Sequence, residues 1–162
     1  MSTTDELLEA NAAYTASFSE PGLPMPPGRQ VAVVACMDAR LDVYRLLGLG
    51  LGEAHVIRNA GGVVSDDAIR SIVISQRLLG TEEIVLIHHT DCGMLTFSDD
   101  DLKCAITDET GIRPAFALEA FADPAEDIRQ SLARITANPF IPMKNARGFV
   151  YDVNTGGLTE VT

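Results

Sequence analysis

Apolar residues fall in two periods along this chain, and the switches between them mark out strands and helices. Short, unbroken β-forming runs stand at Val31-Ala32-Val33-Val34-Ala35 and Ile84-Val85-Leu86-Ile87, the pattern of strands buried on both faces. Between them, Asp66–Leu79 carries Ile69, Ile72, Val73, Gln76 and Leu79 at helical spacing, which predicts an amphipathic helix. Extended along the chain, the same reading predicts strands at Gln30–Cys36, Ala54–Arg58, Glu83–His88 and Gly148–Val153. Helices are predicted at Leu41–Leu47, Ser98–Glu109 and Asp123–Ala137. Ser98 before Asp99-Asp100-Asp101 reads as an N-cap followed by acids at the positive end of a helix dipole. Gly156-Gly157 predicts a turn. Strands alternating with helices predict an α/β fold of three layers, α/β/α, around a central, mostly parallel sheet.

The first 28 residues form a separate pattern. Residues 5–19 read as a helix with Leu7, Leu8, Ala12, Tyr14 and Phe18 on an apolar stripe. The run from Pro21 to Gly28 then forces an extended arm. Such a helix either packs on its own domain or reaches a second subunit. No internal repeat or domain boundary is visible, so residues 1–162 are expected to form a single domain, with 1–28 as its N-terminal helix and arm.

Composition narrows the partners. The formal charge of −11 over 162 residues argues against nucleic acid and anionic membranes, since phosphate binding requires a basic face. No apolar run is long enough to span a bilayer, and Met1–Glu6 lacks the basic and apolar regions of a signal peptide. Three cysteines are too few and of the wrong parity for a disulfide scaffold. They point to free thiols in a reducing cytoplasm.

Candidate chemistry lies at two predicted strand ends. Cys36-Met37-Asp38-Ala39-Arg40 follows the first strand and His89-Thr90-Asp91-Cys92-Gly93 the third. In a doubly wound sheet, ligands bind beyond the carboxyl ends of strands where strand order reverses. Cys36, His89 and Cys92 would there make a soft site with three protein ligands, which leaves one zinc position open. His89 and Cys92, three apart, would meet on one helical turn. Asp38 and Arg40 fall beside Cys36, where a bidentate arginine would fix and ionise the carboxylate. Two thiolates cancel the charge of zinc, so a coordinated water would need help to ionise, and Asp38 is the evident source. Asp38 on Arg40 leaves the fourth position open; Asp38 on zinc closes it.

Competing readings of the same residues are weaker. His88 should face away from His89 and pack or hydrogen-bond, and His55 should be structural. Cys104, on an exposed acidic helix, reads as a thiol without function. Cys36 and Cys92 as a redox pair lack the local Cys-x-x-Cys spacing. Gly48-Leu49-Gly50-Leu51-Gly52 follows a helix and leads into a strand, the reverse of a phosphate-binding glycine loop.

With Cys36/Asp38/Arg40, Arg58-Asn59-Ala60-Gly61 and His89-Thr90-Asp91-Cys92-Gly93 in this order, the chain resembles the β-class carbonic anhydrases over most of Val31–Val153. It looks like their compact subgroup, which also contains carbonyl sulfide hydrolase-like members. His88 stands where glycine is more usual, and Gly62 where asparagine is frequent. The resemblance implies Zn2+ on Cys36, His89 and Cys92, with Asp38 as a further ligand in the closed state only, and Asp38 and Arg40 as the catalytic pair. It implies a zinc lyase that hydrates CO2 reversibly to bicarbonate by a metal-bound hydroxide. It also implies a homodimer, sometimes a dimer of dimers, embraced by the N-terminal helix. Hydrolysis of carbonyl sulfide or carbon disulfide on the same site is the alternative substrate reading. A non-catalytic zinc or regulatory protein, with Asp38 as permanent fourth ligand, is the alternative class.

Overall fold

A computed structural model describes residues 2–162. Its sheet consists of β1 (Val31–Cys36), β2 (Ala54–Asn59), β3 (Glu83–His89), β4 (Asn145–Tyr151) and β5 (Leu158–Val161), in the order β2-β1-β3-β4-β5. β1 pairs in parallel with β2 and β3, and β3 in parallel with β4, while β5 runs antiparallel along β4. The chain leaves β1 for β2 on one side and returns to β3 on the other. The reversal therefore falls between β1 and β3, and their carboxyl ends open a crevice there. Register brings the two ends together, because Ala35 pairs with Ile87 just before Cys36 and His89.

Alternating side chains of the central strands divide between two apolar layers. Val33, Ala35 and Ile87 pack with Leu41, Val43 and Met94 on the face of α2 (Val43–Leu47). Val34, Ile84 and Leu86 pack on the other face with Ile72 of α3 (Asp66–Leu79) and Ile135 of α5 (Pro124–Ala137). Full burial of a side chain such as Ile72 or Leu86 contributes about 1.5–3 kcal/mol. Gly148 lets α5 approach β4, since Ile128 fills the place of any Cβ at that position. Capping agrees with the sequence: Ser98 accepts from Asp101 N ahead of α4 (Asp99–Thr110), and Asp123 accepts from Ala125 N and Glu126 N ahead of α5.

Several element boundaries need correction. β4 starts at Asn145 rather than Gly148, and β5 was not anticipated, because its four residues carry too little periodicity to stand out. Gln30 lies outside β1 with a left-handed φ of 53°. The helix expected from Leu41 begins at Val43, capped by Asp42.

Of the two readings open for the N-terminal helix, α1 (Thr3–Ser17) does not follow the first: it does not pack on its own domain. Every described residue from Ser2 to Pro26 is exposed, Leu7 and Leu8 by 66% and 64%. A capping box between Ser2 and Asp5 holds the start of this helix without tertiary contacts. Among the described residues no helix is long and apolar enough to cross a membrane.

Candidate metal centre

Cys36 ends β1, His89 ends β3, and Cys92 follows in the next turn, all three buried. Their ligand atoms lie within 4.8 Å of one another. The two Sγ atoms are 4.0 Å apart, close to the separation of about 3.8 Å that tetrahedral zinc with ~2.3 Å Zn–S bonds imposes. His89 Nδ1 donates to the Thr90 carbonyl at 2.9 Å, which leaves Nε2 as the lone-pair nitrogen. That Nε2 is buried and has no hydrogen-bond partner. An unpartnered buried nitrogen is costly, and a cation between it and the two sulfurs removes the cost. The donor set and its spacing fit zinc.

The convergence of His89 and Cys92 has a different cause from the one expected. Residues 90–92 form a tight turn rather than a helical one, with Asp91 at φ 55°. Thr90 N donates to the Tyr151 carbonyl at 2.9 Å, and Thr90 Oγ1 accepts from Val153 N at 3.1 Å. These bonds fix the turn to the end of β4.

Another turn supports Cys36. Arg58 donates to the Cys36 carbonyl from Nε and Nη2 at 2.9 and 2.6 Å, and to the Asp38 carbonyl at 2.7 Å. Residues 60–62 then fold against both strand ends. At Gly62, with φ 74°, a Cβ would come within 2.7 Å of Cys36 N and 2.9 Å of the Ile87 carbonyl oxygen. Glycine at this place therefore has a steric reason in this chain.

Asp38 is turned onto Arg40 in a bidentate pair. Arg40 donates from Nε to Oδ1 at 3.0 Å and from Nη2 to Oδ2 at 2.8 Å, and its backbone N–H reaches Oδ1 at 2.8 Å. Asp38 Oδ2 remains 3.7 Å from His89 Nε2. The Arg40 guanidinium holds the Asp38 carboxyl well below the usual carboxylate range. Arg40 is raised in turn, by Asp38 first and then by Asp91.

The thiols diverge. Burial pushes Cys36 up, but His89 and the backbone N–H groups of Asp38 and Gly61 together lower it, and the net direction is downward. The Cys36 sulfur likewise raises His89, although the contact is not a well-directed hydrogen bond. Cys92 is pushed up to about 11, by burial first, and Cys36 beside it adds to the rise. Adjacent thiolates repel, so holding both ionised requires a cation.

Beyond these groups the crevice is a cavity of about 360 Å³, with Met37, Ala60, Met94 and Phe97 among its lining. It suits a small, weakly polar ligand. The expectation missed these apolar walls, and it missed Asp91 as a second partner of Arg40. The only sequence signal for Asp91 was an acidic residue inside the His-x-x-Cys spacing.

The remaining candidates fall away from the crevice. His88 faces α5, with Nε2 2.6 Å from Asp127 Oδ2 and its ring stacked on Phe121. His55 Nδ1 pairs with Ser75 Oγ at 2.7 Å. Cys104 is exposed on α4, 3.6 Å from Arg113 Nη1.

Known proteins are similar to this chain in sequence and in fold. The family model described as Carbonic anhydrase matches residues 31–113. Beta-carbonic anhydrase 1 of Mycobacterium tuberculosis is 64% identical over 163 residues, covering 100% of this chain and 99% of the relative. A protein of Acidithiobacillus thiooxidans named carbon disulfide hydrolase is 37% identical over 156 residues, covering 83% of this chain and 78% of the relative. The crystal structure of carbonic anhydrase from Streptococcus mutans superposes with a TM-score of 0.94 at 43% identity, covering 100% of this chain and 99% of that one. Similarity along the full length, joined to the same sheet, shows that the chain belongs to the β-carbonic anhydrase family.

Proposed function

We propose that the chain is a zinc lyase interconverting CO2 and bicarbonate, with Cys36, His89 and Cys92 holding the metal. Asp38 and Arg40 act as the pair that governs the fourth metal position. The observation that carries this reading is the unpartnered Nε2 of His89, buried beside two thiols, with the neighbouring carboxylate turned onto Arg40. Zinc held there supplies Lewis acidity that lowers the pKa of a coordinated water. Asp38, kept ionised by Arg40, presents Oδ2 toward the same space and is placed to accept a hydrogen bond there. Met37, Met94 and Phe97 keep bulk water from that oxygen and receive a neutral linear substrate. The similarity to a protein named beta-carbonic anhydrase 1 supports CO2 as that substrate.

Metal analysis and stopped-flow CO2 hydration test the reading. The expected result is about one zinc per chain with turnover at pH about 7 to 9. Protein purified without zinc, or zinc-loaded protein inactive across that range, would sink it.

Carbonyl sulfide or carbon disulfide is the second substrate reading. It is favoured by the apolar cavity and by the similarity to a carbon disulfide hydrolase. Parallel assays with CO2 and the two sulfur compounds rank the three by kcat/KM. A closed, non-catalytic zinc protein is disfavoured by the orientation of Asp38 toward Arg40.

We further propose one domain over residues 1–162 working as a homodimer, or a dimer of dimers, in the cytoplasm. The uncovered apolar residues of α1 support the dimer, and three free cysteines accord with a reducing compartment.

A further inference from the structure

We infer that Asp91 is a positioning residue that acts through Arg40: by holding the guanidinium from its far side, it keeps Asp38 off the metal position. This rests on the zinc reading proposed above. Arg40 Nη1 donates to Asp91 Oδ2 at 2.8 Å, and Nη2 donates to the Asp91 carbonyl at 3.0 Å. The same guanidinium donates to both oxygens of Asp38. Arg40 thus bridges the turn after β1 and the turn after β3, and two carboxylates share its donors.

The sharing matters because the Arg40 side chain is 48% exposed. A long side chain that exposed keeps many rotamers unless both edges of its planar head are tied. Asp38 ties one edge, but Asp38 is the group that moves in the proposed switch. A guanidinium fixed only by a mobile carboxylate would follow it or lose it. Asp91 supplies the fixed end, anchored by a turn whose other residues include His89 and Cys92.

Stability does not explain the contact. The Asp91 side chain is 77% exposed, and an exposed ion pair adds little to folding. Its carboxylate bonds nothing besides Arg40 among the described residues. Its backbone occupies the left-handed region at φ 55°, uncommon for a residue with a Cβ. That conformation is part of the turn from which both the carbonyl and the carboxylate reach the guanidinium.

Two substitutions remove the carboxylate charge, while the backbone carbonyl bond to Arg40 stays, without straining the turn. Asp91→Gly deletes the carboxylate at a φ that glycine prefers, and Asp91→Asn keeps an acceptor and tolerates the same φ. The full-length protein is loaded with cobalt(II) in place of zinc and titrated with thiocyanate, followed by visible absorption. Thiocyanate enters only when Asp38 is off the metal. Its affinity is expected to fall about three- to tenfold in Asp91→Gly, and less in Asp91→Asn, with about one metal per chain retained. In an Asp38→Ala background the effect of Asp91→Gly should vanish. Unchanged thiocyanate affinity in Asp91→Gly overturns the inference, as does an equal fall in the Asp38→Ala background. Unmutated protein that takes up no cobalt, or whose spectrum ignores thiocyanate, overturns the zinc reading and this inference with it.

Discussion

Asp38 Oδ2 is 2.8 Å from Arg40 Nη2 and 3.7 Å from His89 Nε2. The carboxylate therefore belongs to arginine in this conformation while remaining one rotation from the metal position. Asp38→Asn keeps the shape but removes the charge that orients a coordinated water. Zinc content should persist and kcat should fall by about 10²-fold or more, the scale of a lost charged hydrogen-bond partner at the reacting group. Arg40→Ala should act differently, because it leaves the carboxylate intact and unrestrained. A crystal structure of zinc-loaded Arg40→Ala is expected to place Asp38 on the metal, and Asp38 still turned away would refute the switch.

Metal removal should expose a pH limit set by Cys92. Its pKa is pushed up to about 11 from an ordinary 9.0, so the fold favours the protonated thiol. That contribution is complete below pH 9.0 and is lost as pH rises toward about 11. Chelator-treated protein is expected to lose Tm across this window, whereas zinc-loaded protein, with the thiolate already neutralised, should not. Zinc uptake at neutral pH should also release a proton, readable with an indicator dye.

Asp99 has a structural task that its acidic neighbours lack. Its carboxylate accepts from Leu118 N at 2.9 Å, Glu119 N at 3.3 Å and Ala120 N at 2.8 Å. Bonds from Ala120 first, then Leu118 and Glu119, hold its pKa down against burial. This segment leads to Phe121, which stacks on His88 and would meet a Cβ at Gly61. Asp99→Ala should destabilise the fold by about 1–3 kcal/mol in urea unfolding, and amide exchange at 118–121 should accelerate. In the unmutated protein the same loosening should begin only as pH falls through the depressed Asp99 pKa.

Deleting residues 2–27 tests the proposed dimer. The helix contributes no buried residue to its own sheet, so the remaining chain should keep a cooperative thermal unfolding transition, lose only the far-ultraviolet helical signal of α1, and shift to monomer by light scattering. A deletion that stays dimeric would move the interface elsewhere.

The sheet was legible because β1 and β3 are buried on both faces, and continuous β-branched runs record that environment directly. β5 was not, since an edge strand of four residues draws its register from Arg147–Glu160 pairing and β4 rather than from its own sequence. In the crevice, residue type and strand-end position predicted the convergence of Cys36, His89 and Cys92 and the pairing of Asp38 with Arg40. Asp91 escaped notice because its role depends on the left-handed turn at that residue, and a single acidic letter does not encode that conformation. The α1 stripe left two readings open for a related reason: periodicity marks an apolar face but does not say which chain that face meets, and the structure leaves the face uncovered on its own chain.

Gly62→Ala probes whether the turn after β2 must touch both strand ends. An alanine there would place Cβ 2.7 Å from Cys36 N and 2.9 Å from the Ala35 carbonyl carbon. Both atoms are backbone of β1, so neither can yield as a side-chain tip would. The positive φ adds further strain for an L residue. Relief requires moving the 60–62 turn outward, which pulls on Arg58 and loosens its hold on the Cys36 and Asp38 carbonyls. Gly62→Ala should therefore lower Tm and weaken zinc binding together, whereas Gly148→Ala, whose neighbour Ile128 lies in the α5 layer, should lower Tm while metal affinity in the folded fraction stays the same. Equal zinc affinity in Gly62→Ala and the unmutated protein would show that Cys36 is positioned by β1 alone.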